Sequence, residues 1–457
     1  MEYRYDLIVI GAGPGGYEAA VKAAGLGMRT AIIEMNEVGG TCLNRGCIPT
    51  KAFLHVGEQL NQIRKGEEFG ISVSDWNVDW QKIYAYKNET VKKLREGILQ
   101  LLKVSGVDLI NGTAGNVAAG QLEITRPDGT TETITSKQIL VATGSVPVRP
   151  NIKGVHLEGV CTSEDLLAEE PMDFESIVII GGGVIGVEFA EIYASLGRRV
   201  TILESMGSLL STMDKDISQN LQIQYKKRGI EVVTNAMVTE IMREESLKVV
   251  YESKGKQKEA AADLVLLAVG RSPRSSGLFA AGQEPEQIKG RLEVDNYQQS
   301  SIPGIYAAGD VASVIQLAHV ATAQGFRAVE SMAGMEHYSG LSMIPSCVYT
   351  NPEIACVGMT DKDAKEKGLG TKCTKYLMHG NCRTVIAKAD RSFIKIVSEE
   401  ETGVILGAQL MCERATDMIG EFSLAIENKM TVSEMDTVIR AHPTYYEAVK
   451  GALEALK

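Results

Sequence analysis

A chain of 457 residues with 44% hydrophobic, 23% charged and only 5% aromatic residues can fill two to four domains with large cores, which excludes a disordered or miniature fold. A formal net charge of -11 argues against partners that reward a basic surface, so neither nucleic acid nor an anionic membrane is expected. No apolar run approaches the roughly 18 residues of a spanning helix, and MEYRYDLIVIGAG enters a strand near Tyr5 with no basic-then-apolar leader, so a cytoplasmic protein is expected.

The first element, YDLIVIGAGPGGYEAAVKAAGLGMRTAIIE, reads as an apolar strand, a glycine turn, a small-residue helix and a second strand ending in Glu34. The stretch GGTCLNRGCIPTK follows at once. TRPDG, ending at Gly129, reads as a turn between two strands, and the next strand runs into ILVATGSVP. ESIVIIGGGVIGVEFAEIYASLGRRVTILE then repeats the opening pattern and ends in Glu204. ADLVLLAVGRSPR is another buried strand ending in glycine, and GIYAAGDVA ends a strand with Gly309 and Asp310 at the edge where α/β sheets contact ligands.

The repeated unit is the βαβ dinucleotide fingerprint. Its glycines are Gly11, Gly13, Gly16 and Gly181, Gly183, Gly186, and Glu34 and Glu204 each lie 23 positions after the first of them. Glycine permits the tight turn and the approach of a pyrophosphate, the helix N-terminus holds the phosphates, and the acid accepts hydrogen bonds from a ribose. Two nicotinamide cofactors would be redundant, so one flavin and one nicotinamide are expected. An acid at Glu204 favours an unphosphorylated ribose, hence NAD over NADP, although Arg198 and Arg199 precede that strand.

Cys42 and Cys47 lie five positions apart. On a regular helix that spacing gives a Cα separation of roughly 8.7 Å, whereas a disulfide needs less than about 7 Å. If the two pair, the turn between them is distorted, and Asn44, Gly46 and Pro49 are residues that permit this. A bridge on such backbone is the reducible, working kind, and a helix N-terminus with Lys51 would stabilise a Cys47 thiolate. Two buried thiols at a helix start is the plainer alternative. The other six cysteines, Cys161, Cys347, Cys356, Cys373, Cys382 and Cys412, are too scattered for a disulfide scaffold and are expected to be buried and inert. Cys373, His379 and Cys382 offer three ligand types at irregular spacing with no fourth nearby, so no metal site is expected. A nicotinamide can pass hydride to a flavin, and a flavin beside a dithiol can exchange two electrons with it. Because the cysteines follow the first fingerprint, the first site should hold FAD and the second NAD.

These residues resemble the flavin disulfide reductases over the whole chain, and within them the branch that oxidises dihydrolipoamide. GGTCLNRGCIPTK is similar to that branch's redox motif; glutathione reductases usually carry a second lysine where this chain has Thr50. ATGSVP, GIYAAGDVA, LAHVATAQG and PSCVYTNPEIACVG resemble family blocks in family order. The resemblance implies an α/β fold: an FAD-binding Rossmann-like domain (1–148), an NAD-binding one (149–275), a central domain completing the FAD site (276–343) and a C-terminal α+β dimerisation domain (344–457). It further implies that Cys42 exchanges with substrate, that Cys47 lies against the flavin, and that Lys51 sits near the reactive edge of the isoalloxazine and pairs with Glu188. Glu34, Gly40, Thr41, Ala114, Thr143, Gly144, Ser145 and Asp310 would contact FAD, with Leu317, Ala318 and His319 opening a helix aimed at its pyrimidine ring. Gly181, Gly183, Ile185, Gly186, Glu188, Glu204, Val238 and Gly270 would hold NAD.

Thiol exchange needs a proton acceptor, and histidine suits neutral pH. His55 sits on the helix after the cysteines, His156, His337 and His379 in polar loops, and His319 at a helix start, which leaves His442 in IRAHPTYYEAVKGALEALK. Pro443 is expected in the first turn of a terminal helix and Glu447 in the second, where it could orient the ring. By resemblance this pair reaches the disulfide of the other subunit of a homodimer, and a lipoyl-domain protein of a 2-oxo acid dehydrogenase or glycine cleavage complex is the further partner implied. Departures from the family are Arg440 for histidine, Tyr445 and Tyr446 for a Leu-Ser pair, Arg45 for a small apolar residue, and Gln324 for an acid. The alternatives are an NAD(P)H-dependent reductase of another small disulfide, such as a glutathione-type substrate, and a noncatalytic FAD protein. A mercuric reductase would need a C-terminal cysteine pair, and no cysteine follows Cys412.

Overall fold

Strand Tyr5–Ile10 is almost wholly buried, which for so apolar a strand requires cover on both faces, and it forms the centre of a parallel sheet. The structure, a computed structural model, describes residues 3–168, 170–336 and 341–457, so His337 lies outside the described residues. The parallel strands run in the order 108–111, 30–34, 5–10, 131–141, 305–307, with Ile8 opposite Ala31 on one side and Ile139 on the other. Strand 131–141 also closes an antiparallel meander with 121–125 and 113–118, and the Arg126–Thr130 turn joins two of its strands.

The second half repeats the plan. Its parallel order is 231–234, 199–204, 176–180, 264–267, 160–162, beside a separate meander of strands 237–243, 247–253 and 256–262. In both sheets the strand that leads into the glycine turn, 5–10 or 176–180, lies between neighbours reached by opposite crossovers, so a crevice opens at its C-terminal end. Past residue 275 the chain returns to the first half: helix Ala318–Met332 lies along helix Pro14–Gly25 so closely that a Cβ on Gly325 would stand 2.4 Å from Gly15 O.

The C-terminal part is an antiparallel sheet ordered 346–348, 353–358, 405–412, 393–399, 371–377, with helices Ala415–Glu427 and Glu447–Glu454 closing a core around Leu410, Phe422 and Ala452. The terminal helix starts at Glu447, four residues later than Pro443 suggests. Its approach is instead tied by side chains: Thr444 donates its N–H to Glu447 (2.9 Å) and its hydroxyl to Ala441 O (2.8 Å). Among the described residues no helix is long and apolar enough to cross a membrane.

The expectation of six buried thiols is also corrected. Cys161 and Cys412 are buried, but Cys373 and Cys382 are exposed and Cys347 and Cys356 are intermediate. Cys373 lies on edge strand 371–377, where Lys372, Cys373, Lys375 and Leu377 are all exposed.

Candidate active site

The two glycine turns are near copies. Gly11 (φ +99°) and Gly181 (φ +111°) adopt left-handed backbone, and a Cβ there would meet Ala142 O at 2.4 Å and Ala268 O at 2.3 Å. Gly16 and Gly186 let each helix seat on its turn, since a Cβ on either would stand 1.9 Å from the carbonyl of Gly11 or Gly181. Each terminal acid grips its turn: Glu34 accepts from Ala12 N (2.7 Å) and Asn36 N (2.9 Å), Glu204 from Gly182 N (2.5 Å) and Met206 N (2.6 Å). Helices Pro14–Gly25 and Val184–Ser195 follow N-caps Gly13 and Gly183 that carry no side-chain cap, the kind of helix N-terminus whose backbone N–H groups can hold a phosphate.

The cysteine segment docks on the first turn. Gly39 donates to Ala12 O (2.7 Å), and a Cβ on Gly40 would stand 2.7 Å from Gly13 Cα. Helix Gly40–Arg45 then stops at Gly46 (φ -146°, ψ -111°) and helix Cys47–Arg64 starts afresh, so the break falls between the two thiols and brings them together. Asn44 steadies the short helix, donating to Val38 O (3.0 Å) and Gly40 O (2.9 Å) while accepting from Arg95 (3.0 Å). Cys42 and Cys47 are both thiols in this structure. The hydrogen bond that Cys42 donates to Cys47 is the main cause that lowers the Cys47 thiol to about 7, and the Lys51 charge adds to it against burial and Glu188. The same contact, with burial, pushes Cys42 up. The contact thus favours the thiolate at Cys47 and the proton on Cys42.

Lys51 stands one helical turn beyond Cys47, and its Nζ lies 2.8 Å from Glu188, which is 4% exposed on helix Val184–Ser195 of the second half. The other Glu188 oxygen accepts from Tyr349 N (3.0 Å) in the C-terminal part, and Lys51 Nζ sits 4.4 Å from the Tyr349 ring centroid. Three parts of the chain thus converge at one ammonium. The block PSCVYTNPEIACVG contains Tyr349, but its contact with Lys51 and Glu188 crosses domains and leaves no mark in the sequence pattern.

One cavity of about 950 Å³ runs past both glycine turns, the two cysteines, Lys51 and Glu188. Its lining includes Gly11, Gly13, Glu34, Gly40, Thr41, Cys42, Cys47, Lys51, Ala114, Thr143, Gly144 and Ser145 from the first half, with Asp310, Leu317 and Ala318 from the returning segment. Gly181, Gly183, Ile185, Glu188, Glu204 and Gly270 line it from the second half. Ser145 donates to Asp310 (2.5 Å) and receives from Arg271 (2.7 Å), so an arginine that the sequence reading passed over links the two halves. Gly16 and Gly186 lie beneath the lining. Val238 packs in the second-half core with Ile241 and Leu203, and His319 sits outside the lining with Nε2 2.9 Å from Pro345 O. Cys347 also lines the cavity, and burial raises its thiol to about 11.

His442 and Glu447 are paired but do not line this cavity. His442 Nδ1 is 2.8 Å from Glu447, and the imidazole is 68% exposed. Hydrogen bonds from Thr444 N and from His442 hold the Glu447 carboxyl below its ordinary range. Of the departures, Arg440 is buried against Glu421, Tyr446 donates to Met418 O (3.1 Å), and Gln324 accepts from Gly309 N (2.8 Å). These three act inside the fold, whereas Arg45, 3.4 Å from Glu37, lines the cavity.

Two dinucleotide turns opening on one dithiol define a nucleotide-dependent disulfide oxidoreductase. The residues present fit a flavin and a nicotinamide dinucleotide: both turns leave glycine where a side chain would fill the phosphate cradle, and a Cβ on Gly183 would meet nothing within 4 Å. The chain belongs to the pyridine nucleotide-disulphide oxidoreductase family, whose main domain matches residues 5–325 and whose dimerisation domain matches 344–453. FAD and NAD are the cofactors of this membership. The chain is 39% identical over 455 residues to dihydrolipoyl dehydrogenase of Geobacillus stearothermophilus, covering 98% of this chain and 95% of that one. It is 37% identical to the Bacillus subtilis enzyme of that name, covering 98% and 96%. Among solved structures, LpdA from Mycobacterium tuberculosis matches at TM-score 0.91 and 26% identity over 99% of both chains. The flavoprotein disulfide reductase RclA from Escherichia coli matches at TM-score 0.88 and 28% identity, covering 99% of this chain and 100% of that one.

Proposed function

We propose that this chain is a homodimeric FAD enzyme that oxidises dihydrolipoamide, free or on a lipoyl protein, and reduces NAD. The observation that carries it is the Cys42–Cys47 dithiol, with Lys51–Glu188 beside it, opening into the cavity shared by both glycine turns. Full-length likeness to dihydrolipoyl dehydrogenases selects the substrate. The assignment keeps the domain boundaries 1–148, 149–275, 276–343 and 344–457, and places the protein in the cytoplasm on its sparse cysteines.

In the oxidised pair, Cys42 is the sulfur that a substrate thiolate attacks, and Cys47 leaves as a thiolate that Lys51 stabilises. The partner subunit's His442 takes the substrate proton at Nε2, since a proton on Nδ1 is held by Glu447. The second substrate sulfur then displaces Cys42, so lipoamide gains its S–S bond as the Cys42–Cys47 bond is lost, two electrons and two protons having crossed. FAD, which Glu34, Ser145 and Asp310 would hold at the first glycine turn, would supply the two-electron chemistry that couples the cysteine pair to NAD at the second turn, where Gly183 and Glu204 would hold it. The exposure of His442 and its place in the dimerisation domain support service to a second subunit.

A panel of dihydrolipoamide, reduced glutathione and coenzyme A, each with NAD and NADP, tests the reading. Turnover confined to dihydrolipoamide with NAD is expected; turnover of glutathione or coenzyme A alone would replace it.

A further inference from the structure

The charge beside the redox pair is set from a distance. Lys51 reaches Glu188 at 2.8 Å, but a lysine stem has rotamers to spare, so one ion pair does not by itself fix where the ammonium stands. What confines the ammonium on its other side is the Tyr349 ring, 4.4 Å from centroid to Nζ. A cation over an aromatic face is held by the ring's quadrupole, most strongly where water is thinned out.

The ring is itself pinned twice. Tyr349 N donates to Glu188 (3.0 Å), so one carboxylate orients both the ring's backbone and the lysine. Two residues on, Asn351 O accepts from Arg228 (3.1 Å), and Arg228 is gripped in two-pronged fashion by Glu191 (2.5 and 3.0 Å), one helical turn after Glu188. The segment 349–351 is therefore locked to helix Val184–Ser195 at both ends.

We propose that Tyr349 is a positioning residue for the redox pair: its ring and backbone N–H hold Lys51 and Glu188 so that the ammonium stays beside Cys47. This rests on the working role of the Cys42–Cys47 pair given above, but needs neither the lipoyl substrate nor NAD. Charged and titratable groups that act on Cys47 are Cys42, Lys51 and Glu188. Side-chain variants at 349 keep the backbone N–H, so they isolate the ring.

The test is the pH dependence of iodoacetamide alkylation at Cys47, followed by mass spectrometry on the dithiothreitol-reduced holoenzyme. In Tyr349→Leu the midpoint is expected to rise by about half a unit or more, while Tyr349→Phe, which keeps the ring, titrates as the parent. In a Lys51→Met background, Tyr349→Leu should give no further shift. Tyr349→Met serves in place of Leu should that variant fail to retain flavin, with the same expected rise. An unchanged or lowered midpoint in the ring-less variant, an equal shift in the Phe variant, or a full shift without Lys51 would each overturn the proposal. Loss of dihydrolipoamide turnover in the parent enzyme would instead sink the function while leaving this titration readable.

Discussion

Replacing Gly186 with alanine separates the two nucleotide sites. The new Cβ would lie 1.9 Å from Gly181 O, where contacts below 3.0 Å do not occur, so helix Val184–Ser195 must withdraw by about 1.1 Å from its turn. Hydrogen bonds from that helix N-terminus to a pyrophosphate would stretch from about 2.9 to about 4 Å, and losing one charge-assisted bond costs about 1.5–3 kcal/mol. NAD affinity should therefore fall about 10- to 150-fold. The first turn, with its own glycine at Gly16, is untouched, so the purified variant should stay yellow with one flavin per chain. The assay is NADH titration of the holoenzyme by calorimetry beside flavin quantitation. Flavin loss with normal NADH binding would reverse the assignment of the two turns, and unchanged binding of both would refute the steric argument.

Three further outcomes follow from the site. His442→Gln should slow reduction of the enzyme by dihydrolipoamide about 10²- to 10⁴-fold in stopped flow, while reduction by NADH keeps its parent rate. For Cys47, lowered from 9.0 to about 7, the folded chain binds fewer protons than the unfolded chain between those values. Its contribution to stability of the reduced protein is thus full above pH 9 and lost as pH falls through 7, and urea unfolding across that window checks the sign. Glu188→Ala orphans Tyr349 N and unpairs Lys51. Glu188 is buried, so leaving the Tyr349 N–H without its acceptor should cost about 1–3 kcal/mol, read by denaturant unfolding against Glu188→Gln.

Much of this protein was legible along the chain because the forces are local. A glycine whose Cβ would strike the adjacent strand, a helix starting at its turn and an acid at the next strand's end act within some thirty residues, so Gly11 to Glu34 and Gly181 to Glu204 announce themselves by spacing. The awkward interval between Cys42 and Cys47 likewise pointed to a broken helix, and the break falls at Gly46. Tertiary structure decided what spacing does not encode. Lys51, Glu188 and Tyr349 come from three separate parts of the chain and meet only because helix Cys47–Arg64 packs on helix Val184–Ser195 and the C-terminal part closes over both. Arg440 turned inward to Glu421, and the terminal helix waited until Glu447, where Thr444 and His442 are tied by a side chain rather than by helical hydrogen bonds. Periodicity reports which face of an element is apolar; it carries no record of which distant charge that face will be pressed against, because that choice is made by packing between elements.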